Sequence, residues 1–345
     1  MSTSLGTWPR RSLSSSALAL LALIPLAAGA AQAGSNQQIE LAFDRTHGYD
    51  FAVWVANADG SEAHKLVETA FRPKLSPNGD RVAYVVPRRP SALPMLWVKT
   101  FATGRAMRID AAADVAWGPQ GRRLVYVTRQ RILLADAESG RRRLLDRGHV
   151  CCASFSPSGD AVVYAKSNGS YGRWYRSDVY AIRLTDGHVS RLTHDHHSGR
   201  PVWGRGSIAC SHYRARGGWL IADLRLMRPD GTGKRILASG YDKSGALGIE
   251  PVAFSENGTH LLACLPAESD CPPVTVALPE GKPHVLQVRR RSSELAYAAA
   301  ISRDGRYVLA QAGGLETPQR IVVVPFAGGT ARVLARNAED PTWTR

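Results

Sequence analysis

Short apolar segments alternate with tight polar turns along most of the chain. In the recurring unit, an apolar segment runs into a turn rich in small and polar residues, and a second apolar segment follows at once. Six copies have a turn that ends in glycine, three of them clear and three weaker: Gly79, Gly121, Gly159, Gly206, Gly258 and Gly305. Successive glycines stand 38 to 52 residues apart. A period of this length indicates an internal repeat of one supersecondary unit.

The turn itself predicts a β-hairpin. In Ser76-Pro-Asn-Gly79, Pro sets φ for the first corner of a type I turn, and Gly takes the left-handed position that follows. Flanking segments such as Val82–Val86 and Leu124–Val127 are rich in Val, Leu and Tyr, which suit strands. Each unit therefore opens with an antiparallel strand pair joined by a short loop with a bulge.

A second hairpin signal recurs later in each unit. Apolar segments such as Val179–Leu184 and Val189–Leu192 flank turns that contain Gly. A unit therefore holds four strands in about 40–50 residues, which is typical of a β-propeller blade. The seven turns are Asn57–Gly60, Thr103–Gly104, Glu138–Gly140, Thr185–Gly187, Pro229–Gly231, Pro279–Gly281 and Ala327–Gly329.

The first hairpin occurs six times and the second hairpin seven times. The two ends of the chain can account for the missing first hairpin. Ile39–Phe43 resembles a second strand, and Pro341–Trp343 resembles the first strand of another unit. Pairing of these two segments completes a seventh blade and leaves no open sheet edge at the junction. We therefore predict one all-β domain, a seven-bladed propeller of four-stranded blades, with a six-bladed ring as the alternative.

The first 33 residues have the pattern of a signal peptide. A start with paired arginines precedes the apolar run from Ala17 to Ala28, and Ala31-Gln-Ala33 is a small-x-small cleavage site. The run is shorter than the roughly 20 residues of a membrane span, and no later segment is apolar enough to form one. We expect export by the Sec or the twin-arginine route, cleavage after Ala33, and a propeller domain over residues 34–345.

The Ser-Pro-x-Gly turns, the strand that ends in Tyr, and Arg191-Leu-Thr193 before a polar loop resemble the TolB-like family of WD40-like propellers, which are built from PD40 repeats. The resemblance covers nearly all of the chain after the predicted cleavage site. It implies a periplasmic or secreted bacterial protein that binds other molecules in the cell envelope without catalysing a reaction.

The chain also departs from this family. The aspartate that is usual in the turn is present at Asp304, and other residues replace it elsewhere: Asn78, Gln120, Ser158 and Asn257. TolB itself has six blades and an additional N-terminal α/β domain, for which the short segment between Ala33 and Ile39 has no room. TolB's specific partners are therefore not carried over to this chain.

The chain is strongly basic, with a formal net charge of +15, and basic proteins favour acidic partners. Because export makes nucleic acid the least suitable of these, we expect a protein partner or an anionic glycan, and no cofactor. The sequence contains no Gly-x-Ser-x-Gly elbow, His-Glu-x-x-His motif, P-loop or dinucleotide-binding fingerprint. We therefore favour a non-catalytic binding protein. The alternative is a lyase or hydrolase that acts on anionic glycans, since propeller active sites assemble from several blades without a local motif.

The densest polar cluster is His194-Asp195-His196-His197. Imidazole and carboxylate ligands suit zinc, manganese or iron, and strand-like alternation would place His194 and His196 on one side. The enzyme alternative would then depend on a metal. The cluster, however, follows a predicted fourth strand and lies in a loop between blades. We therefore favour a hydrogen-bonded loop over a metal site.

Five cysteines follow the predicted cleavage site, in a compartment that permits disulfides. Cys264 and Cys271 bracket the link between the second and third strands of one blade, where neighbouring strand ends meet disulfide geometry, so we predict a bridge between them. For Cys151, Cys152 and Cys210 two arrangements stay open. Either one of the first two reaches Cys210, or all three are buried free thiols.

Binding is predicted on one face of the ring. Because strand direction alternates within a blade, the loops between blades share a face with the loops between second and third strands. These loops carry the long insertions, and loops on a rigid scaffold are where binding residues concentrate. Arg, Tyr and Trp are enriched at binding hot spots, and Arg pairs with carboxylates or phosphates. In the alternative, the aromatic residues form small satellite cores. The predicted binding residues are Arg88, Arg89, Tyr171, Arg173, Trp174, Tyr175, Arg176, Arg214, Arg216 and Trp219.

Overall fold

A computed structural model of the protein describes residues 39–344 apart from short gaps. The predicted signal peptide lies outside the described residues, as do Tyr171, Arg173 and Trp174. In the part of the chain that is described, no helix is long and apolar enough to cross a membrane. The gaps are 48–49, 168, 170–174, 217–218, 241–247, 267–269, 280, 290, 292–293 and 315–316.

Twenty-eight strands among the described residues form seven four-stranded antiparallel sheets. The first half of the chain contains β1 (Leu41–His47), β2 (Asp50–Ala56), β3 (His64–Glu68), β4 (Phe71–Leu75), β5 (Arg81–Val86), β6 (Met95–Thr100), β7 (Ala106–Ala111), β8 (Asp114–Trp117), β9 (Arg123–Val127), β10 (Arg131–Asp136), β11 (Arg142–Arg147), β12 (His149–Phe155), β13 (Ala161–Ser167), β14 (Ser177–Arg183) and β15 (Val189–Arg191).

The second half continues with the remaining strands in the same pattern. They are β16 (Ser198–Gly204), β17 (Ser207–Arg216), β18 (Trp219–Met227), β19 (Arg235–Ala238), β20 (Glu250–Phe254), β21 (His260–Cys264), β22 (Pro273–Ala277), β23 (His284–Val285), β24 (Leu295–Ile301), β25 (Tyr307–Gly314), β26 (Thr317–Pro325), β27 (Arg332–Arg336) and β28 (Glu339–Trp343).

Each sheet is one blade of a seven-bladed propeller, so the sequence prediction of seven blades rather than six is confirmed. Blade 1 has the order β28-β1-β2-β3, and blades 2 to 7 each consist of four consecutive strands, from β4–β7 to β24–β27. The predicted closure is also present. Trp343 pairs with Leu41 and Thr342 pairs with Ala42, so the C-terminal strand joins β1 and removes the open edge.

The first strand of each blade is the innermost, because the first strands of successive blades contact one another all round the ring. The second and third strands carry most of the buried apolar side chains. Between blades 2 and 3, for example, Leu96 and Val98 pack against Leu124 and Tyr126. The core therefore lies between blades, since a single sheet cannot bury both of its faces alone.

The turns that defined the repeat adopt the predicted conformation. Gly79 and Gly159 have φ values of 72° and 76°, the left-handed region that glycine enters without steric cost. The Gly79 N–H donates to the Ser76 carbonyl at 2.9 Å, which closes the turn. The same closing hydrogen bond recurs at Gly121, Gly159, Gly258 and Gly305, whereas in blade 5 the pairing of Gly204 with Ser207 gives a tighter, two-residue connection at Gly206.

Candidate binding site on the loop face

The two sides of the ring are built from different connections. All blades have the same strand order, and neighbouring strands are antiparallel. The segments between blades and between second and third strands therefore lie on one side, which we call the loop face. The short turns between first and second strands and between third and fourth strands lie on the other side, which we call the hairpin face.

The described members of the predicted binding set lie on the loop face, but in separate sectors. Arg88 and Arg89 are exposed in the segment between β5 and β6 of blade 2. Tyr175 and Arg176 precede β14 in blade 4, and the neighbouring blade 5 carries the rest of the set. The structure thus brings the residues of blades 4 and 5 into adjoining sectors and leaves the blade 2 pair on the far side of blade 3. The blade 5 members are Arg214, Arg216 and Trp219.

The hairpin of β17 and β18 contains the longest strand among the described residues. The two strands contain 10 and 9 residues, and their pairing continues to the last pair, Arg216 opposite Trp219. At this end Trp219 is 61% exposed and Leu220 is 39% exposed. Large exposed apolar side chains on a rigid element are a feature of interaction sites, and Trp is strongly enriched at hot spots.

Arg214 is engaged inside the same hairpin. Its Nε donates to Asp223 Oδ2 at 2.6 Å and its Nη2 to Asp223 Oδ1 at 3.1 Å, a bidentate pair. Burial raises the pKa of Asp223, but the hydrogen bonds from Arg214 and from the Gly240 N–H outweigh it and hold that pKa below its ordinary value. The geometry therefore gives Arg214 the role of stiffening the hairpin that presents Trp219.

The polar loop between blades 4 and 5 is held by two carboxylates, of which Asp178 is the more buried, with its side chain 1% exposed. Its Oδ1 accepts from Thr193 Oγ1 and from the His196 N–H, each at 3.0 Å. Its Oδ2 accepts from Arg191 Nη2 at 2.6 Å and lies 3.0 Å from His196 Nδ1. Asp178 thereby anchors the loop to the end of β14.

Asp195, the second carboxylate, faces blade 5. It accepts from Arg225 Nη1 at 2.5 Å, from Ser198 Oγ at 2.9 Å and from the His197 N–H at 3.0 Å. Burial opposes ionisation, yet the Arg225 and backbone hydrogen bonds hold the pKa of Asp195 at about 2. Within the described residues, no group of three or more His, Cys, Asp or Glu side chains is arranged to hold a metal ion. In this segment the side chains of Asp195, His196 and His197 each lie within hydrogen-bond distance of a neighbouring group.

Two pairs of cysteines are bonded. Cys264 and Cys271 are joined with their Cα atoms 5.1 Å apart, across the connection between β21 and β22. Cys271 also forms backbone hydrogen bonds with Ala296 and Ala298, which fastens this loop to the innermost strand of blade 7. Cys271 is therefore tied both to the end of β21 and to β24.

The second pair differs from both arrangements that the sequence left open. Cys151 is bonded to Cys152, and Cys210 is a free thiol. Cys152 has a left-handed φ of 58° within a bulge of β12, a local backbone feature that the spacing of cysteines does not reveal. Cys210 is fully buried, and burial raises the pKa of its thiol to about 12. This thiol is protonated at neutral pH and is unsuited to redox chemistry.

The sequence analysis did not identify a group of charged residues at the start of the innermost strands. Arg72, Arg200 and Asp340 occupy left-handed positions at bulges in blades 2, 5 and 1, with φ of 51°, 48° and 46°. Across blades, Arg72 Nε lies 3.9 Å from Asp340 Oδ2, and Arg200 Nε lies 3.1 Å from Glu250 Oε2. A sequence signal exists, because each of these four charged residues directly precedes a proline.

Comparisons with known proteins bear on the fold. No protein-family model matches the chain, and a search of curated proteins finds no match either. Among solved structures, TolB from Acinetobacter baumannii is 16% identical with a TM-score of 0.50, over 90% of this chain and 67% of that one. The β-propeller domain of the trilobed protease from Pyrococcus furiosus is 14% identical with a TM-score of 0.59, over 86% and 96%.

An oligogalacturonate lyase from Vibrio parahaemolyticus is similar to a comparable degree, with 12% identity and a TM-score of 0.52 over 87% of this chain and 85% of that one. The Pyrococcus domain is described as having an open velcro topology, whereas here β28 pairs with β1. At these identities the likeness concerns the propeller fold alone, which TolB, a protease domain and a lyase all share.

Proposed function

We propose that this chain is a non-catalytic binding module whose loop face binds an acidic partner in the bacterial cell envelope, either a protein segment or an anionic glycan. The observation that carries the proposal is the blade 5 hairpin, which holds Trp219 at 61% exposure on a rigid ladder. Exposed arginines of other blades, Arg176 of the adjoining blade 4 and Arg89 of blade 2, supply positive charge on the same face. Aromatic anchors with arginines around them are suited to an anionic partner.

The cellular location belongs to the same proposal. Paired arginines, an apolar run and the Ala31-Gln-Ala33 site support export with cleavage after Ala33. N-terminal sequencing of the protein from its native host tests this point. We expect the mature chain to begin at Gly34, and a soluble cytosolic protein that retains Met1 would contradict it.

The test of the binding face is affinity capture from envelope extracts, followed by mass spectrometry. A triple variant, Arg88→Ala, Arg89→Ala and Trp219→Ala, should lose the captured partner while its melting temperature stays near that of the native chain, since these side chains are exposed. The matched control changes exposed residues of the hairpin face: Arg105→Ala, Arg141→Ala and Tyr307→Ala. Capture that survives the first variant and disappears in the control would place binding on the hairpin face.

Metal analysis of the purified protein separates the enzyme alternative from the binding module. Stoichiometric zinc, manganese or iron, together with cleavage of an anionic glycan, would favour a propeller enzyme. In that case His196→Ala should release the metal, whereas the binding-module proposal expects this change to affect the loop alone.

A further inference from the structure

A pocket in blade 1 contains an arginine, Arg45, that forms no salt bridge with any described residue. The pocket has a volume of about 490 Å³ and opens at the loop-face end of β1 and β2. Arg45, Ala52 and Trp54 form part of its wall, and Asn337 closes it from the connection between β27 and β28. Pockets of roughly 300–1,000 Å³ are of the size that holds small ligands.

Aromatic stacking fixes the position of Arg45. Its guanidinium carbon lies 4.2 Å from the centre of the Trp54 ring and 5.4 Å from that of Phe43. The residue opposite Arg45 on β2 is Ala52, whose small side chain leaves the space in front of the guanidinium open. A planar guanidinium held in this way is ready for bidentate hydrogen bonding at low entropic cost.

Arg45 lacks the carboxylate that similar arginines have. The half-buried or buried Arg191, Arg225 and Arg320 each form a salt bridge with an acid. Among the described residues, none pairs with the Arg45 guanidinium, and its Nε is buried without a partner. Burial lowers the pKa of Arg45, and no neighbouring carboxylate offsets this effect. A desolvated cation without a counter-ion is unfavourable, so an anionic ligand would be stabilised here.

The other charged groups of the pocket restrict the kind of anion. Lys65 Nζ lies 2.5 Å from Glu68 Oε1, so these two charges neutralise each other. Asp50 is exposed at the rim. Because the charge of Asp50 repels a second carboxylate, and the oxygens of Asp50 and Glu68 accept hydrogen bonds from hydroxyls, the pocket favours one carboxylate that is attached to a hydroxylated ring.

We infer that this blade 1 pocket binds a sugar acid, with Arg45 on the carboxylate and the pocket's polar groups on the hydroxyls. The inference rests on the proposed function, because it takes the loop face as the binding face, and it selects a uronate-containing glycan over an acidic protein.

Titration calorimetry and saturation-transfer NMR with three small probes test the ligand class. Glucuronate carries both the carboxylate and the hydroxyls, glucose carries the hydroxyls, and acetate carries the carboxylate. We expect glucuronate to bind at least about ten-fold more tightly than either of the others. Glucose lacks the charged hydrogen bonds of the carboxylate and acetate lacks the neutral hydrogen bonds of the hydroxyls, and each loss weakens the affinity by about ten-fold. Equal binding of acetate or glucose, or tighter binding of an oligo-aspartate peptide, would overturn the sugar-acid assignment.

Variants locate the site. Arg45→Gln should weaken glucuronate binding about ten- to hundred-fold, and Arg45→Lys should fall between that variant and the native chain, because Lys keeps the charge but loses the planar fork. Ala52→Leu fills the pocket without touching the charge and should also abolish binding, which keeps the test decisive if Arg45→Gln is unstable. Arg105→Gln, an exposed arginine of the hairpin face, is the charge-matched control and should bind normally.

The outcomes separate this inference from the proposed function. Glucuronate binding that survives Arg45→Gln and Ala52→Leu overturns the assignment of this pocket. If glucuronate binding falls instead in the loop-face triple variant, the loop-face proposal is retained. If glucuronate binding requires Arg45 and the loop-face triple variant still captures the partner, the pocket is supported as the glucuronate site. The surface around Trp219 is then rejected as the site that binds the partner.

Discussion

Two acids on opposite faces of the ring illustrate two ways of satisfying a charge. On the hairpin face, Asp304 accepts from Ser302 and from the Arg306 N–H, so its hydrogen bonds stay within one turn. On the loop face, Glu294 binds Arg320, which lies 26 residues further along the chain and on a different strand. The first arrangement depends on the sequence of the turn, whereas the second depends on which strands the fold brings together. The environment of Arg45 is likewise decided by neighbouring strands.

The largest effect is expected from the buried pair of blade 7. Glu294 and Arg320 are 3% and 6% exposed in their side chains, and two hydrogen bonds of 2.7 and 2.8 Å join them. Glu294→Ala leaves a buried guanidinium without its counter-ion and should lower the free energy of unfolding by about 3–5 kcal/mol, measured by urea denaturation.

The matched control for Glu294→Ala is Asp304→Ala, an acid of the same blade on the hairpin face. Its hydrogen bonds stay within one turn, so we expect a loss of about 1 kcal/mol or less. Equal losses of unfolding free energy in the two variants would contradict the prediction that an acid paired across strands stabilises the fold more than an acid satisfied within its own turn.

A smaller effect is expected from the Cys264–Cys271 bridge. Non-reducing peptide mapping should recover the two cysteine peptides linked. The double variant Cys264→Ser, Cys271→Ser should lower the free energy of unfolding by about 2–3 kcal/mol, because the bridge closes a short loop in the unfolded chain. Two free thiols in protein prepared from its native host would rule the bridge out.

The last prediction concerns how pH changes the contribution to stability of Asp44, which lies on the strand that closes the ring. Burial and the neighbouring Asp340 and Glu339 raise the pKa of Asp44 from 3.8 to about 8, while the Arg72 N–H lowers it, and Asp44 Oδ1 has no hydrogen-bond partner. A carboxyl whose pKa is raised on folding contributes stability below about pH 4, and this contribution is lost as the pH rises towards about 8.

Asp44→Asn should therefore flatten the pH dependence of unfolding between about pH 4 and pH 8 and be more stable than the native chain at pH 8. Asp304→Asn serves as the control of opposite sign. Hydrogen bonds from Ser302 and the Arg306 backbone lower the pKa of Asp304, so its stabilisation is present at neutral pH and lost on acidification. An unchanged pH profile in Asp44→Asn would contradict the burial argument.

Much of the fold was predictable because its signals are local. The turns at Gly79 and Gly159, the count of second hairpins and the complementary chain ends led to seven closed blades, as observed. The location of Cys264 and Cys271 between a second and a third strand followed from the same periodicity. The side of the ring that carries the long loops was also predictable, since strand alternation alone determines it.

The state of individual side chains in the candidate site was not predictable. Arg214 belonged to the predicted binding set, but Asp223 on the paired strand engages it. Cys151 bonds to its neighbour because of a bulge in β12, and not to Cys210 on the next blade. Arg45 carried no sequence signal, because its lack of an acidic partner depends on which residues the register and the adjoining blade place beside it.

The sequence by itself determined the repeat, the turn chemistry and the closure of the ring, since each depends on backbone preferences and on apolar residues within one unit. Tertiary structure alone decided which charges are paired. Ion pairing depends on distances of a few ångströms between side chains of different strands and blades, and burial changes its energy severalfold. Asp178 and Asp195 thereby became anchors of a loop, and Arg45 remained open to a ligand.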